Sequence, residues 1–123
     1  MENQRDHFAL RKQDNEFLRN RLNVTRDDYA KSVESLLRIA MDDTSGSKAA
    51  AQVLLSVYNG NRYPMNLMDL SLLDLKYLES AVIVMLGRAL LSEEPHNVIE
   101  NGRERFFALE KAWPNLRLQS PQQ

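Results

Sequence analysis

The sequence predicts an all-α domain, a compact bundle of five to six helices around a central apolar helix at about residues 74–91. Three observations predict this fold class. Apolar residues recur at helical rather than alternating spacing along most of the chain. The few glycines and prolines stand mostly where such segments begin or end. The segment 74–91, DLKYLESAVIVMLGRALL, is apolar around most of its circumference, which indicates a helix surrounded by other elements.

The first predicted helix, residues 3–22, is amphipathic and strongly charged. Asp14 and Glu16 interrupt its basic residues, which is more typical of a solvated mixed-charge face than of a phosphate-binding one. One half of the helix is apolar, so we expect that half to pack on the core, on a second copy of the chain or on another partner. The basic residues are Arg11, Lys12, Arg19 and Arg21, and the apolar half carries Phe8, Leu10, Phe17, Leu18 and Leu22.

Two further helices follow, each with a recognisable start and end. Thr25 with Asp28 predicts a capping box, and an apolar stripe then runs from Tyr29 to Met41. Residues 42–46 form a turn, and Ser47 is the predicted cap of a third helix. Asn59-Gly60 ends that helix, and a hairpin turn there is the less favoured alternative because the preceding spacing is helical.

The second half of the chain continues this pattern. Pro64 predicts an extended segment, residues 66–73 a short helix, and Asp74 the cap of the long apolar helix. A short helix is predicted at 96–100, and the last helix is predicted at 103–113. We therefore expect one folded unit, with an N-terminal part at 1–46, a helical core at 47–114 and a flexible tail at 115–123.

Composition restricts the classes of function. The net charge of −1 argues against a dominant phosphate-binding surface, although residues 1–40 sum to +1, residues 41–102 to −4 and residues 103–123 to +2. There is no cysteine, so disulfides and thiolate metal sites are excluded. No signal-peptide core or membrane span is recognisable, and we expect a cytoplasmic bacterial protein without contact with a membrane.

No catalytic constellation is recognisable, and the sequence predicts neither an enzyme nor a cofactor. His96 and Glu100, four residues apart, would share a helix face as half of a metal site, but no third ligand is suggested. We favour a packed histidine beside a solvated carboxylate, and no metal. The paired acids at 27–28, 42–43 and 93–94 lie at predicted helix ends, where capping is the favoured interpretation.

Three apolar residues fall where the helical wheel predicts exposure, namely Ile39, Ile83 and Phe107. Ile83 and Gly87 lie on the narrow polar stripe of the 74–91 helix, where either the first helix or a partner would cover them. The candidate partner contacts are therefore Ile83, Gly87 and Phe107, with the basic residues Arg11, Lys12, Arg19 and Arg21.

Residues 47–113 carry a resemblance to a known family. The matching pieces are Ala49-Ala50 to Leu55, Tyr58-Asn59-Gly60, Leu67 to Asp74 with its Leu-x-x-Leu-Asp ending, Glu94-Pro95-His96 and Phe106 to Trp113. With these pieces the chain resembles a family of short uncharacterised proteobacterial proteins found on integrative elements, plasmids and prophages. The resemblance implies a mobile-element setting, and it carries over no activity and no catalytic residue.

Three hypotheses of function follow. The first is a non-enzymatic interaction protein that binds and inhibits a host defence complex, as anti-CRISPR-type inhibitors do. This hypothesis is based on the mobile-element setting and the fold class, and not on a recognised site. The second is a nucleic-acid-binding regulator that uses the basic face of the first helix with Arg103, Arg105 and Arg117. The third, an enzyme, is the least favoured because no constellation of side chains supports it.

Overall fold

The computed structural model describes residues 4–119, with side chains from residue 9 onward. Within that range all regular structure is helical, which confirms the predicted fold class. The α-helices are α1 (Gln4–Arg21), α2 (Arg26–Ala40), α3 (Ser45–Tyr58), α4 (Leu75–Leu91) and α5 (Gly102–Ala112), and 3₁₀ segments lie at Leu67–Leu72, Pro95–Asn97 and Pro114–Leu116. The Phe8 side chain and the end of the predicted tail, residues 120–123, lie outside the described residues.

Local hydrogen bonds from capping side chains determine where α2 and α3 begin. At α2 the predicted capping box is confirmed, because the Asp28 amide donates to Thr25 Oγ1 at 3.0 Å and the Thr25 amide donates to Asp28 Oδ2 at 3.2 Å. At α3 the predicted cap is wrong by one turn. Thr44 caps this helix, since its hydroxyl accepts a hydrogen bond from the Ser47 amide at 3.0 Å and the helix begins at Ser45.

The most deeply buried helix is α3, not the 74–91 helix that the sequence favours. Eight of the fourteen α3 residues are buried, against three of seventeen in α4. Three consecutive alanines, Ala49 to Ala51, are fully buried and leave room for neighbouring helices to approach closely. Helix α4 packs on α2 and α3 along one side and leaves its other side open. The prediction that other elements surround this helix on all sides is therefore wrong, although the helix is apolar around most of its circumference.

The C-terminal helix is fastened to α2 at two points. The Arg105 guanidinium donates to both carboxylate oxygens of Glu34, at 2.6 and 2.7 Å, and the Trp113 indole donates to the Ala40 carbonyl at 2.6 Å. Beyond α5, Leu116 packs against the core and the Leu118 amide donates to the Arg62 carbonyl at 2.6 Å. Within the segment predicted to be a flexible tail, Leu116 thus contacts the core and Leu118 contacts the loop after α3.

None of the helices within residues 4–119 has the length and apolar content needed to cross a membrane.

Candidate interaction surfaces

His96 lies among aromatic rings. Its ring centroid is 5.2 Å from that of Tyr58 and 6.4 Å from that of Phe106, with edge-to-face geometry in both pairs. Its Nδ1 is buried without a hydrogen-bond partner among the described residues, while Glu100 is exposed. Among residues 4–119 no three histidines or acids are grouped so as to bind a metal ion.

The paired acids at 27–28 and 93–94 bind neighbouring side chains or a helix cap, whereas Asp42 and Asp43 are exposed. Glu93 accepts a hydrogen bond from Arg26 at 2.8 Å, and Glu94 accepts one from Arg88 at 3.0 Å. At the start of α2, the Thr25 hydroxyl and amide hold the pKa of Asp28 below its ordinary value. Glu93 and Glu94 thereby fasten α2 and α4 to the loop that follows α4.

Gly87 is not available to a partner. It is buried, and a Cβ placed there would lie 2.5 Å from Cγ of Tyr29 and 2.7 Å from Cδ1. The Tyr29 ring is fully buried, and its hydroxyl donates to the Glu93 carbonyl at 2.9 Å. The contact that covers Gly87 therefore comes from α2, which corrects the expectation that the first helix or a partner covers it.

Ile83 is half-buried and packs against the core, as does Ile39, so neither is a protruding contact. Helix α4 nevertheless presents other apolar side chains to solvent. Leu75 is 83% exposed, and Val82 and Leu90 are also exposed. The open apolar surface of α4 therefore lies beside the predicted position and not at it.

Helix α1 presents both of its faces to solvent, because every side chain from Ala9 to Arg21 is exposed. Lys12 and Arg19 are seven residues apart and share one face, whereas Arg11 and Arg21 fall on the apolar half, given 3.6 residues per turn. The basic residues are therefore split between two sides of the helix. The apolar half carries four exposed large side chains, Leu10, Phe17, Leu18 and Leu22.

Phe107 stands out from α5 and is 58% exposed, as the helical wheel predicts. The Lys111 ammonium lies 4.4 Å from the centre of its ring, within cation–π range. The ring forms one wall of an open groove of about 520 Å³. The other residues that line this groove, called here the Phe107 groove, are Tyr58, His96, Arg103, Glu104 and Glu110.

Glu110 links the Phe107 groove to a second open groove at the C-terminal end of α5. Its carboxylate accepts a hydrogen bond from the Tyr63 hydroxyl at 2.6 Å. Burial, together with this carboxylate, raises the pKa of Tyr63 to about 12, so the hydroxyl stays protonated and continues to donate. Glu110 is thereby fixed at the edge of the Phe107 groove.

Sequence reasoning did not identify most of the groove. Tyr58 ends α3 and His96 lies in the Pro95–Asn97 segment, so only tertiary packing brings them beside α5. It also missed the exposed side chains of the Leu67–Leu72 segment, Leu67, Met68 and Leu72. Four large apolar residues within six positions were the available signal there.

The model of one protein family matches the chain over residues 30–114, and this family, DUF7673, is described as a family of unknown function. The match begins 17 residues before the resemblance that the sequence suggests, and it includes most of α2. Searches of curated proteins and of solved structures find no match.

Proposed function

The chain belongs to that family of unknown function, and we propose that it is a non-enzymatic interaction protein whose Phe107 groove binds a protein partner. Within the described residues, His96 packs among aromatic rings, and the acids at 27–28 and 93–94 are engaged in capping or ion pairs with neighbours. The folded core also exposes large apolar and aromatic side chains, which are suited to binding a partner rather than to catalysis.

The observation that carries the proposal is the exposure of Phe107 within an open groove. Aromatic side chains contribute a large share of binding free energy when a partner removes them from water. Phe107 sits on a well-formed helix whose neighbour Phe106 is fully buried, so its position is fixed before binding. A rigid exposed aromatic of this kind loses little conformational entropy on association.

Charges around the groove favour a polypeptide surface as the partner. Arg103 and Lys111 supply positive charge, and Glu104 and Glu110 supply negative charge, all within α5. A rim of both signs complements the mixed surface of a folded protein. The two carboxylates would repel a phosphate backbone, which disfavours nucleic acid at this site.

The setting that we propose is a mobile genetic element of a proteobacterium, with the protein acting in the cytoplasm. The resemblance over residues 47–113 supports this setting. In it, a small helical protein that binds through an exposed aromatic would block a host defence complex by occupying its surface, in the manner of anti-CRISPR-type inhibitors.

The test is quantitative capture of partners from a host lysate by the immobilised chain. Phe107→Asp should reduce capture about 30-fold, the equivalent of a hot spot of about 2 kcal/mol, because it places a charge where an aromatic is desolvated. The matched control is Met41→Asp, a comparably exposed apolar residue at the end of α2 and outside the Phe107 groove. Equal capture by both variants and the unmodified chain would refute the role of Phe107.

A nucleic-acid-binding regulator is the second candidate, and the exposure of Arg11, Lys12, Arg19 and Arg21 favours it. Such a protein would shift DNA in a gel at low salt and lose affinity steeply as salt rises. Because the basic residues are split between two sides of α1, we expect no shift at low salt. A salt-sensitive shift that is abolished by Lys12→Ala with Arg19→Ala would establish the second candidate instead.

A further inference from the structure

The outer side of α4 is an apolar stripe that no other part of the chain covers within the described residues. Leu75, Val82 and Leu90 are exposed on it, with the half-buried Leu86 between them. At about 100° per residue these four side chains fall within roughly 80° of one another, and the stripe from Leu75 to Leu90 is about 22 Å long. Glu79 is the exposed acid within this stripe.

The apolar half of α1 is a second uncovered stripe. It extends from Leu10 to Leu22, about 18 Å along the helix, and Phe17 at its centre is 63% exposed. The two stripes are thus of similar length, and each is the open side of a regular helix. Two such helices bury their stripes by packing side by side, about 8–10 Å apart.

We propose that α1 of one copy of the chain lies along the α4 stripe of a second copy. Within one chain, α1 does not lie on the α4 stripe, because every α1 side chain from Ala9 to Arg21 is exposed. The helix that covers the stripe therefore comes from a second copy. The link between α1 and α2 is short, and Val24 within it is buried in the core. Residue 24 therefore fixes the point at which α1 leaves the core.

Charge selects the α1–α4 pairing over the pairing of like stripes. Helix α1 carries five basic and three acidic residues, a net +2. The charged side chain within the α4 stripe is the exposed acid Glu79, whereas Lys76 lies at the edge of the stripe and Arg88 lies on the opposite side of the helix. Pairing α1 with α1 or α4 with α4 brings like charge together, whereas α1 with α4 brings opposite charge together.

A dimer is the smallest assembly in which every α1 stripe and every α4 stripe is covered. Each chain offers one α1 stripe and one α4 stripe, so a two-fold dimer makes the contact twice and leaves neither stripe open. The Phe107 groove lies on α5 and is not used in this contact. The dimer proposal therefore stands or falls independently of the proposed function.

The experiment is the mass of the full chain in solution, measured by light scattering after size exclusion. The expected mass is about 28 kDa, twice the 14.2 kDa of one chain. Phe17→Asp, which places a charge in the α1 stripe, should give a monomer, and so should Val82→Asp, which does the same in the α4 stripe. Phe107→Asp, the control at an equally exposed aromatic outside both stripes, should remain a dimer.

Mixing the two monomeric variants gives the decisive result. The Phe17→Asp chain keeps an intact α4 stripe and the Val82→Asp chain keeps an intact α1 stripe, so one of the two contacts re-forms and a heterodimer appears. If like stripes paired, only one of the two variants would be monomeric and mixing would restore nothing. Circular dichroism of each variant checks folding, and Leu75→Asp is a second α4 variant should Val82→Asp unfold.

Besides the result expected for like stripes, two further outcomes overturn the proposal. One is an unmodified chain that remains at the mass of one copy at the highest attainable concentration, including the case in which α1 folds onto the α4 stripe of its own chain. The other is a dimer whose mass neither Phe17→Asp nor Val82→Asp changes.

Discussion

Gly87 allows the Tyr29 ring to lie directly against the backbone of α4. The ring is fully buried, and burial raises the pKa of its hydroxyl well above the ordinary value, so the hydroxyl donates to Glu93 at any physiological pH. A glycine inside a helix lowers helix propensity by about 1 kcal/mol relative to alanine. At this position the close approach of an aromatic ring offsets that cost.

Gly87→Ala should therefore destabilise the fold although alanine is the better helix former. The new Cβ would meet Tyr29 Cβ, Cγ and Cδ1 at 2.5–3.0 Å, the stem of a side chain that cannot move away. Overpacking of this kind costs about 2 kcal/mol or more, which exceeds the gain of about 1 kcal/mol in helix propensity. We expect the free energy of unfolding, measured in urea, to fall by at least about 1 kcal/mol.

Gly46→Ala is the matched control. Gly46 is also helical, and a Cβ there would have its nearest contact, the Leu72 carbonyl oxygen, at an ordinary 3.4 Å. This variant should be neutral or more stable by up to about 1 kcal/mol. A Gly87→Ala chain that is as stable as the Gly46→Ala chain would contradict the role assigned to Tyr29.

Between elements, the pair of Glu34 on α2 with Arg105 on α5 makes stability depend on pH. The bidentate hydrogen bond from Arg105 holds the pKa of Glu34 below its ordinary value. The folded chain thus binds this proton less tightly than the unfolded chain does. The contribution of the pair is complete above the unfolded-state pKa and is lost as pH falls through the folded-state pKa.

Glu34→Gln should lower the urea midpoint most at neutral pH, and the difference from the unmodified chain should shrink toward acid. The effect is modest because both side chains are more than a third exposed. Glu104→Gln removes a charge one residue from Arg105 without touching the pair, and it should leave this pH dependence in place. A Glu34→Gln difference that is constant with pH would contradict the account.

Also at the scale of elements, local signals in the sequence predicted most of the secondary structure. The capping box at Thr25 and the helical spacing from Tyr29 onward placed α2, because both depend on neighbours within a few residues. Burial was harder to predict. The apolar circumference of α4 indicated that α4 is the central helix, but α3 is the most deeply buried one. The small alanine side chains of α3 let neighbouring helices pack closely, and the spacing of apolar residues does not show how many neighbours a helix has.

For the candidate sites as well, local properties could be predicted from the sequence and tertiary packing could not. The exposure of Phe107 followed from its position on the helical wheel of α5, which is a local property. The groove beside it depends on Tyr58 and His96, which tertiary packing alone brings together. The wheel indicates the first helix or a partner as the cover of Gly87, because it does not show that Tyr29 of α2 covers it.

At the scale of the whole molecule, the chain is a helical core with open apolar surfaces on two sides. The stripes of α1 and α4 suit pairing between copies, and the Phe107 groove on α5 stays free for another protein. Separate surfaces would allow a dimer to present two grooves at once, and two grooves raise the avidity for a partner that is itself repeated.

The central claim is that the protein acts by contact through the Phe107 groove. The most direct measurement replaces Phe107 with a photo-crosslinking phenylalanine analogue in cells of the source organism and identifies the adducts formed on irradiation. We predict a discrete adduct with one heterologous protein from position 107, and no such adduct when the analogue replaces the comparably exposed Met41. The same adducts from both positions, or none from position 107, would contradict the account.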